Sequence, residues 1–262
     1  MLDKTVTAAS AVHSWTPDLS GRVALITGGG RGLGLAMAAA FAAAGADVAI
    51  ASRKFDAVAA AASEISSATG RRVQPYACHV GHWDELEPLS SRVWDDFGKI
   101  DVLVNNAGMS PLYPSLTSMG EDLVDKVIAV NLKGPMRLSI VVGSRMAEHD
   151  GGSIINVSST ASIRPQGDVI AYAAAKAGLN AMSEALAQVL APKVRVNVLM
   201  PGPFTTDASS SWTDETLDSV RRRVTLGRPG RPEEVVGAAV YLASDTSSFV
   251  TGATLRIDGG HR

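Results

Sequence analysis

Seven short runs of aliphatic and β-branched residues recur along this chain with longer helical stretches between them, and that alternation leaves few folds open. The runs are Val23–Thr27, Asp47–Ser52, Val73–His79, Val102–Asn105, Ser153–Val157, Val194–Leu199 and Thr254–Ile257. Helices are predicted near 32–45, 55–69, 83–98, 120–149, 170–191 and 232–244. Strands that are apolar on both faces and alternate with helices imply a parallel sheet, because each crossover lays a helix over one face or the other. No Pro-rich or Gly/Ser-rich linker and no long repeat divides the chain. The expected architecture is a single doubly wound α/β domain over residues 21–262, its parallel sheet flanked by helices. Residues 1–20 show no period and read as a flexible N-terminal tail, with Trp15 as a candidate anchor. The segment 203–231 breaks the rhythm. It is polar, ends near Arg221-Arg222-Arg223 and follows a strand end, where open α/β sheets bind ligands, so it is expected to form a small substrate lid.

Composition removes several alternatives. The chain has 262 residues, 46% hydrophobic and 19% charged, which is close to the soluble globular average. A net charge of −2 and an isoelectric point near 6.2 argue against nucleic-acid and membrane-surface partners. A lone Cys78 excludes an intrachain disulfide and fits a reducing cytoplasm. The N-terminus has no apolar signal core, and the Ala-rich stretch 33–46, cut by Gly34 and Gly45, reads as a packed helix rather than a membrane span. Five histidines without metal spacing, and no Gly-x-Ser-x-Gly elbow, point to neither a metal site nor a hydrolase.

The first predicted strand runs into Thr27-Gly28-Gly29-Gly30-Arg31-Gly32-Leu33-Gly34. Glycine lets the backbone turn tightly and approach a pyrophosphate, and the helix that follows offers it unpaired N–H groups. The match to the dinucleotide fingerprint G-x-G-x-x-G is loose, but the loop follows a strand and opens a helix, as that fingerprint requires. Further along come Asn105-Asn106-Ala107-Gly108, Ser159, Tyr172-x-x-x-Lys176, Pro201-Gly202 and Asp258-Gly259-Gly260. In this order, from about residue 21 to 260, they resemble the short-chain dehydrogenase/reductase family. The resemblance implies a Rossmann-type domain and hydride transfer between a nicotinamide cofactor and a ketone or secondary alcohol. It places the cofactor against Thr27, Gly28, Gly32, Leu33, Gly34, Val80, Asn106, Ala107, Gly108, Tyr172, Lys176, Pro201, Gly202 and Thr206. Asn105 and Asn106 are expected to satisfy backbone groups at a strand end.

The second strand ends in Ala51-Ser52-Arg53, without the carboxylate that would hold the ribose 2′-OH of NAD. Arg31 and Arg53, with Ser52 as a further donor, suit a 2′-phosphate, so NADP(H) is expected over NAD(H). A charge-assisted hydrogen bond contributes about 1.5–3 kcal/mol, enough for roughly tenfold selectivity. Where the family commonly has an aspartate near the adenine, this chain reads Cys78-His79-Val80.

Tyr172 and Lys176 stand one helical turn apart. A free phenol, with a pKa near 10, is only about 0.1% ionised at pH 7. A cation beside it is expected to lower that pKa toward the working range of a general acid/base. The resemblance gives Tyr172 the proton transfer, Lys176 the nicotinamide ribose and Ser159 the substrate oxygen, its spacing selecting Ser159 over Ser158. It gives Asn131 a water-mediated link to Lys176.

The substrate is expected between residues 109–113, residues 163–166 and the lid. Three classes are open: 3-oxoacyl thioesters, sugar acids or polyols, and alicyclic ketones. The rival readings are an enoyl-thioester reductase, whose branch of the family spaces its Tyr and Lys more widely, and a non-catalytic nucleotide-binding regulator. The family's habit of pairing its long helices across two-fold axes implies a homotetramer.

Overall fold

A computed structural model describes residues 17–207, 209 and 212–262; Trp15 and most of the expected tail lie outside them. Seven parallel strands form one sheet in the order β3-β2-β1-β4-β5-β6-β7. They are β1 (Val23–Thr27), β2 (Asp47–Ser52), β3 (Val73–Ala77), β4 (Val102–Asn105), β5 (Gly152–Val157), β6 (Val194–Pro201) and β7 (Thr254–Ile257). The chain winds outward from β1 to β3, then returns to place β4 on the other side of β1. The crevice for a ligand lies beyond the carboxyl ends at that reversal.

The strands read as continuous apolar runs because both faces are covered. Successive residues feed two different cores: Ala24 and Ile26 join Met37, Phe41, Val102 and Val104 on one face, while Leu25 joins Leu86, Leu103, Leu138 and Ile154 on the other. The helices that supply these layers are α1 (Gly32–Ala43), α2 (Phe55–Thr69), α3 (Trp83–Phe97), α4 (Glu121–Ile128), α5 (Gly134–Glu148), α6 (Ile170–Val189), α7 (Asp214–Arg223) and α8 (Val236–Ala243). Glycines in the left-handed conformation end α2 at Gly70 and α3 at Gly98, as expected where a helix must turn back toward the sheet.

Apart from shifts of one or two residues at other element ends, the structure departs from the sequence expectation in four places. The packed body begins before Gly21: Leu19 is fully buried, and its N–H donates to the Ala44 carbonyl at 2.9 Å. β3 ends at Ala77, two residues short of His79, because the His79 N–H turns to Glu85 Oε2 (2.7 Å) instead of a strand partner. The predicted 120–149 helix is interrupted by a π-helical turn, Ala129–Lys133. The 232–244 helix opens with a 3₁₀ turn over Pro232–Val235. Within 203–231 the chain forms α7 and an isolated bridge between Phe204 and Gly230. Among the described residues no helix is long and apolar enough to cross a membrane.

Candidate active site

The glycine loop is held from beneath by two side chains. Thr27 Oγ1 accepts from the backbone N–H groups of Asn106 and Ala107, both at 3.1 Å. The Asn106 amide donates in return to the carbonyls of Thr27 (2.9 Å) and Gly28 (3.3 Å). Gly28 and Gly32 take positive φ values of 69° and 54°, which side chains strongly disfavour. A Cβ on Gly34 would lie 2.2 Å from the Gly28 carbonyl oxygen, so α1 packs directly under the loop. Thr27 and Asn106 thus shape the cradle.

The chain's own chemistry here fits a dinucleotide. α1 starts without a side-chain cap and without an acidic residue in its first turn, leaving its first N–H groups and the positive end of its dipole for an anion. Arg31 and Arg53 are exposed, and their side chains have no partner among the described residues. Thr206 of the 203–231 segment reaches over the loop, its Cγ2 3.5 Å from where a Gly32 Cβ would stand. Beyond β3, His79 and His82 stack with ring centroids 4.2 Å apart, and Val80 is buried with its carbonyl packed on Gly134.

Across the crevice, the end of β5 separates the two adjacent serines. Ser158 is buried and turned toward α6, its hydroxyl 3.4 Å from the Lys176 carbonyl. Ser159 opens a 3₁₀ turn, accepts from the Ala161 N–H at 3.2 Å, and lies near enough to the Tyr172 phenol to lower its pKa. Lys176 is buried; its Nζ donates to the Val157 carbonyl at 2.7 Å and lies 5.8 Å from the Tyr172 ring centroid. Asn131, in the π turn, is fully buried. Its amide donates to the carbonyls of Met109 (2.8 Å) and Val127 (2.9 Å), and its oxygen accepts from the Met109 N–H (3.2 Å). Asn131 Oδ1 and Lys176 Nζ would stand 3.0 and 3.9 Å from a Cβ on Gly108, so Gly108 leaves open the space between them.

The electrostatics depart from the expectation. Burial pushes the Tyr172 phenol above its ordinary pKa, and the nearby Ser159 hydroxyl offsets this only in part. Burial brings Lys176 down to about 7. An amine near neutrality is a weak, half-populated cation at pH 7, so it does not pull the phenol down in this state.

Asn105 meets a backbone group as expected, the Pro135 carbonyl at 3.4 Å, but does more. Its amide donates to Asn156 Oδ1 (2.8 Å) and Ser139 Oγ (3.0 Å), and Asn156 continues to Ser183 Oγ (2.9 Å). This chain of side chains ties β4, β5, α5 and α6 together below the cleft. The sequence offered only polar residues in apolar runs as its signal. On the substrate side, the Tyr113 hydroxyl donates to the Gly167 carbonyl and accepts from the Ile170 N–H, tying the predicted 109–113 wall to the residues just beyond the predicted 163–166 wall. Pro111, Tyr113, Val127, Ala171 and Tyr172 border a small hollow there. The Gly202 N–H donates to the Ile257 carbonyl at 3.0 Å. Among the described residues no group of His, Cys, Asp or Glu could hold a metal ion.

The family described as enoyl-(acyl carrier protein) reductase matches residues 28–262. An uncharacterized oxidoreductase of Mycobacterium tuberculosis is 41% identical over 245 residues, covering 92% of each chain. The NADPH-dependent 3-quinuclidinone reductase of Rhodotorula rubra superposes with a TM-score of 0.91 at 30% identity, over 98% of this chain and 97% of that one. A gluconate 5-dehydrogenase of Burkholderia cenocepacia, solved with NADP and tartrate, gives 0.89 at 32% identity over 95% and 98%. With matches spanning nearly its whole length, the chain is an oxidoreductase of the short-chain dehydrogenase/reductase family.

Proposed function

We propose that this enzyme uses NADP(H) to interconvert a ketone and a secondary alcohol, with Tyr172 as general acid/base. The observation that carries the reading is Lys176 Nζ 5.8 Å from the Tyr172 ring centroid, with Ser159 near enough to the phenol to lower its pKa. Ser159 would hold the substrate oxygen beside the phenol, which gives it a proton during reduction. Bound dinucleotide supplies the hydride. Thr27, Gly28, Gly32, Leu33, Gly34, Asn106, Ala107 and Gly108 would hold its pyrophosphate and nicotinamide ribose, Val80 its adenine side, and Pro201, Gly202 and Thr206 its nicotinamide end. Lys176 would regain full charge on meeting the ribose hydroxyls and a neighbouring phenolate, and so restore the pull on Tyr172 that the free protein lacks. Asn131 would fix the Met109 wall and hold a water toward Lys176.

The exposed Arg31 and Arg53 support a preference for the 2′-phosphate, as do relatives solved with NADP. The chain's single cysteine supports a cytoplasmic setting, and 203–231 serves as the lid of the domain. Relatives named 3-oxoacyl-[acyl-carrier-protein] reductase and D-threitol dehydrogenase keep carbonyl and alcohol chemistry first. A relative named 2,4-dienoyl-CoA reductase keeps reduction of a conjugated thioester as the second reading.

Tyr172→Phe removes only the hydroxyl. It should lower carbonyl reduction at least 100-fold, in the range of a lost general acid, while NADPH binding by fluorescence titration stays within about twofold. Substantial residual reduction would take the proton transfer away from Tyr172.

A further inference from the structure

The turn after β3 is built around two histidines that the hydride-transfer chemistry does not use. The His79 N–H donates to Glu85 Oε2 at 2.7 Å, and His82 Nδ1 lies 2.7 Å from Glu85 Oε1. The two rings stack with centroids 4.2 Å apart and planes 17° from parallel. A backbone N–H can only donate, so the Gly81 N–H, 3.1 Å from His79 Nδ1, requires that nitrogen to accept. The ring proton of His79 therefore sits on Nε2. Each Glu85 oxygen and His79 Nδ1 is thereby engaged. Two donors are left over: the His79 Nε2–H and the Val80 N–H have no partner among the described residues.

The turn stands on the rim of the crevice. The Gly28 N–H donates to the Ala51 carbonyl at 2.7 Å, and the Cys78 N–H donates to the Ser52 carbonyl at 3.1 Å. The glycine loop, Ser52-Arg53 and His79 thus follow one another along the carboxyl edge of β1, β2 and β3. Neighbouring strands are about 4.8 Å apart, which sets His79 about 10 Å from the glycine loop, the reach of a ribose and its base. On its far side the His79 ring is bounded by the π turn: His79 Cε1 and Val130 Cγ2 each lie 3.0 Å from where a Gly81 Cβ would stand. A nucleotide with its pyrophosphate on the glycine loop and its 2′-phosphate at Arg53 has its base at this turn. Adenine presents an acceptor at N7 and a donor at its 6-amino group, whereas a 6-oxopurine presents two acceptors, N7 and O6. The His79 Nε2–H can pair with O6 and has nothing to offer an amino group.

We propose that His79 sets the base specificity of the nucleotide site by turning a donor toward the purine 6-position, so that a 6-oxopurine dinucleotide binds at least as well as the adenine form. The inference rests on the dinucleotide reading above.

The test is fluorescence titration with NADPH and with reduced nicotinamide hypoxanthine dinucleotide phosphate, in which an oxo group replaces the 6-amino group. The hypoxanthine form should bind tighter than NADPH or within about twofold of it. His79→Asp, with one carboxylate oxygen on the Gly81 N–H, frees the other to accept from an amino group. It should shift the affinity ratio toward NADPH by about tenfold, the effect of one charge-assisted hydrogen bond. His79→Asn, with its amide oxygen on Gly81, keeps a donor there and should leave the ratio close to that of the unaltered protein. A structural role for the ring would not separate the two variants. An NADPH preference above about twofold in the unaltered protein, or equal ratios in the Asp and Asn variants, overturns the assignment. Should His79→Asp fail to fold, His79→Ala decides: it should weaken the hypoxanthine form alone, and an unchanged ratio overturns the proposal. Failure of both dinucleotides to bind defeats the dinucleotide reading itself, whereas binding with an adenine preference defeats only the role of His79.

Discussion

Lys176 holds an amine where a cation is costly, and the cost has a sign that can be measured. Its folded pKa of about 7 lies below the unfolded value of 10.5. Between those values the unfolded chain binds a proton that the folded chain does not, so the lysine's penalty grows as pH falls from 10.5 and is complete below about 7. Lys176→Met, in the absence of nucleotide, should therefore stabilise the protein at pH 7, by on the order of 1–3 kcal/mol once the lost bond to the Val157 carbonyl is offset. The gain should shrink by about 1.4 kcal/mol per pH unit as pH rises toward 9.5. Denaturant titrations at pH 7, 8 and 9 would check this, and a gain independent of pH would contradict it. Tyr172 obeys the same physics with opposite charge: burial favours its neutral, proton-bearing form, which suits an acid in the reducing direction. That Tyr172 and Lys176 belong together was legible from their spacing. Their charge states were not, because desolvation depends on the β5 and α6 atoms around them rather than on four residues of separation.

Two elements near the crevice differ in how far local sequence foretells them. The β1–α1 loop is written in its glycines, and the structure gives each a separate reason. Gly34 has no room for a side chain against the Gly28 carbonyl, whereas Gly70, at the end of α2, has open space but a φ of 69°. Gly34→Ala should accordingly cost about 2–4 kcal/mol, the range of an overpacked and strained site, and weaken NADPH binding at least tenfold. Gly70→Ala should cost only about 1 kcal/mol, the penalty of the left-handed conformation, with binding unchanged. Thermal unfolding and fluorescence titration of both variants would separate the two mechanisms, and a harmless Gly34→Ala would remove the steric argument. The π turn at Ala129–Lys133 was not legible. Residues 120–149 have an unbroken helical pattern, and the extra residue is accommodated because Asn131 bonds Met109, which lies 22 positions away.

At the scale of the molecule, α5 and α6 leave Ile140, Ile170 and Val189 exposed, apolar area that a second copy would cover. The homotetramer that the family resemblance implies should elute and scatter at four times the 27.2 kDa chain mass at micromolar concentration, and a monomer there would exclude it. The doubly wound architecture, though not the point at which the strand order reverses, follows from rules that act on any such chain. Crossovers are right-handed, and apolar strands must be buried on both faces. Alternating runs of the right length therefore determine a doubly wound sheet, and with it the crevice where the glycine loop and Tyr172 meet. Tertiary structure alone decided what no window of sequence contains: that Leu19 belongs to the core, that Asn105 ties β4 to β5 and α5, and that the C-terminal residues fold back onto the end of α7. Pattern survives in sequence because it is local and periodic. Burial, charge state and pairing arise only when distant segments exclude water from one another.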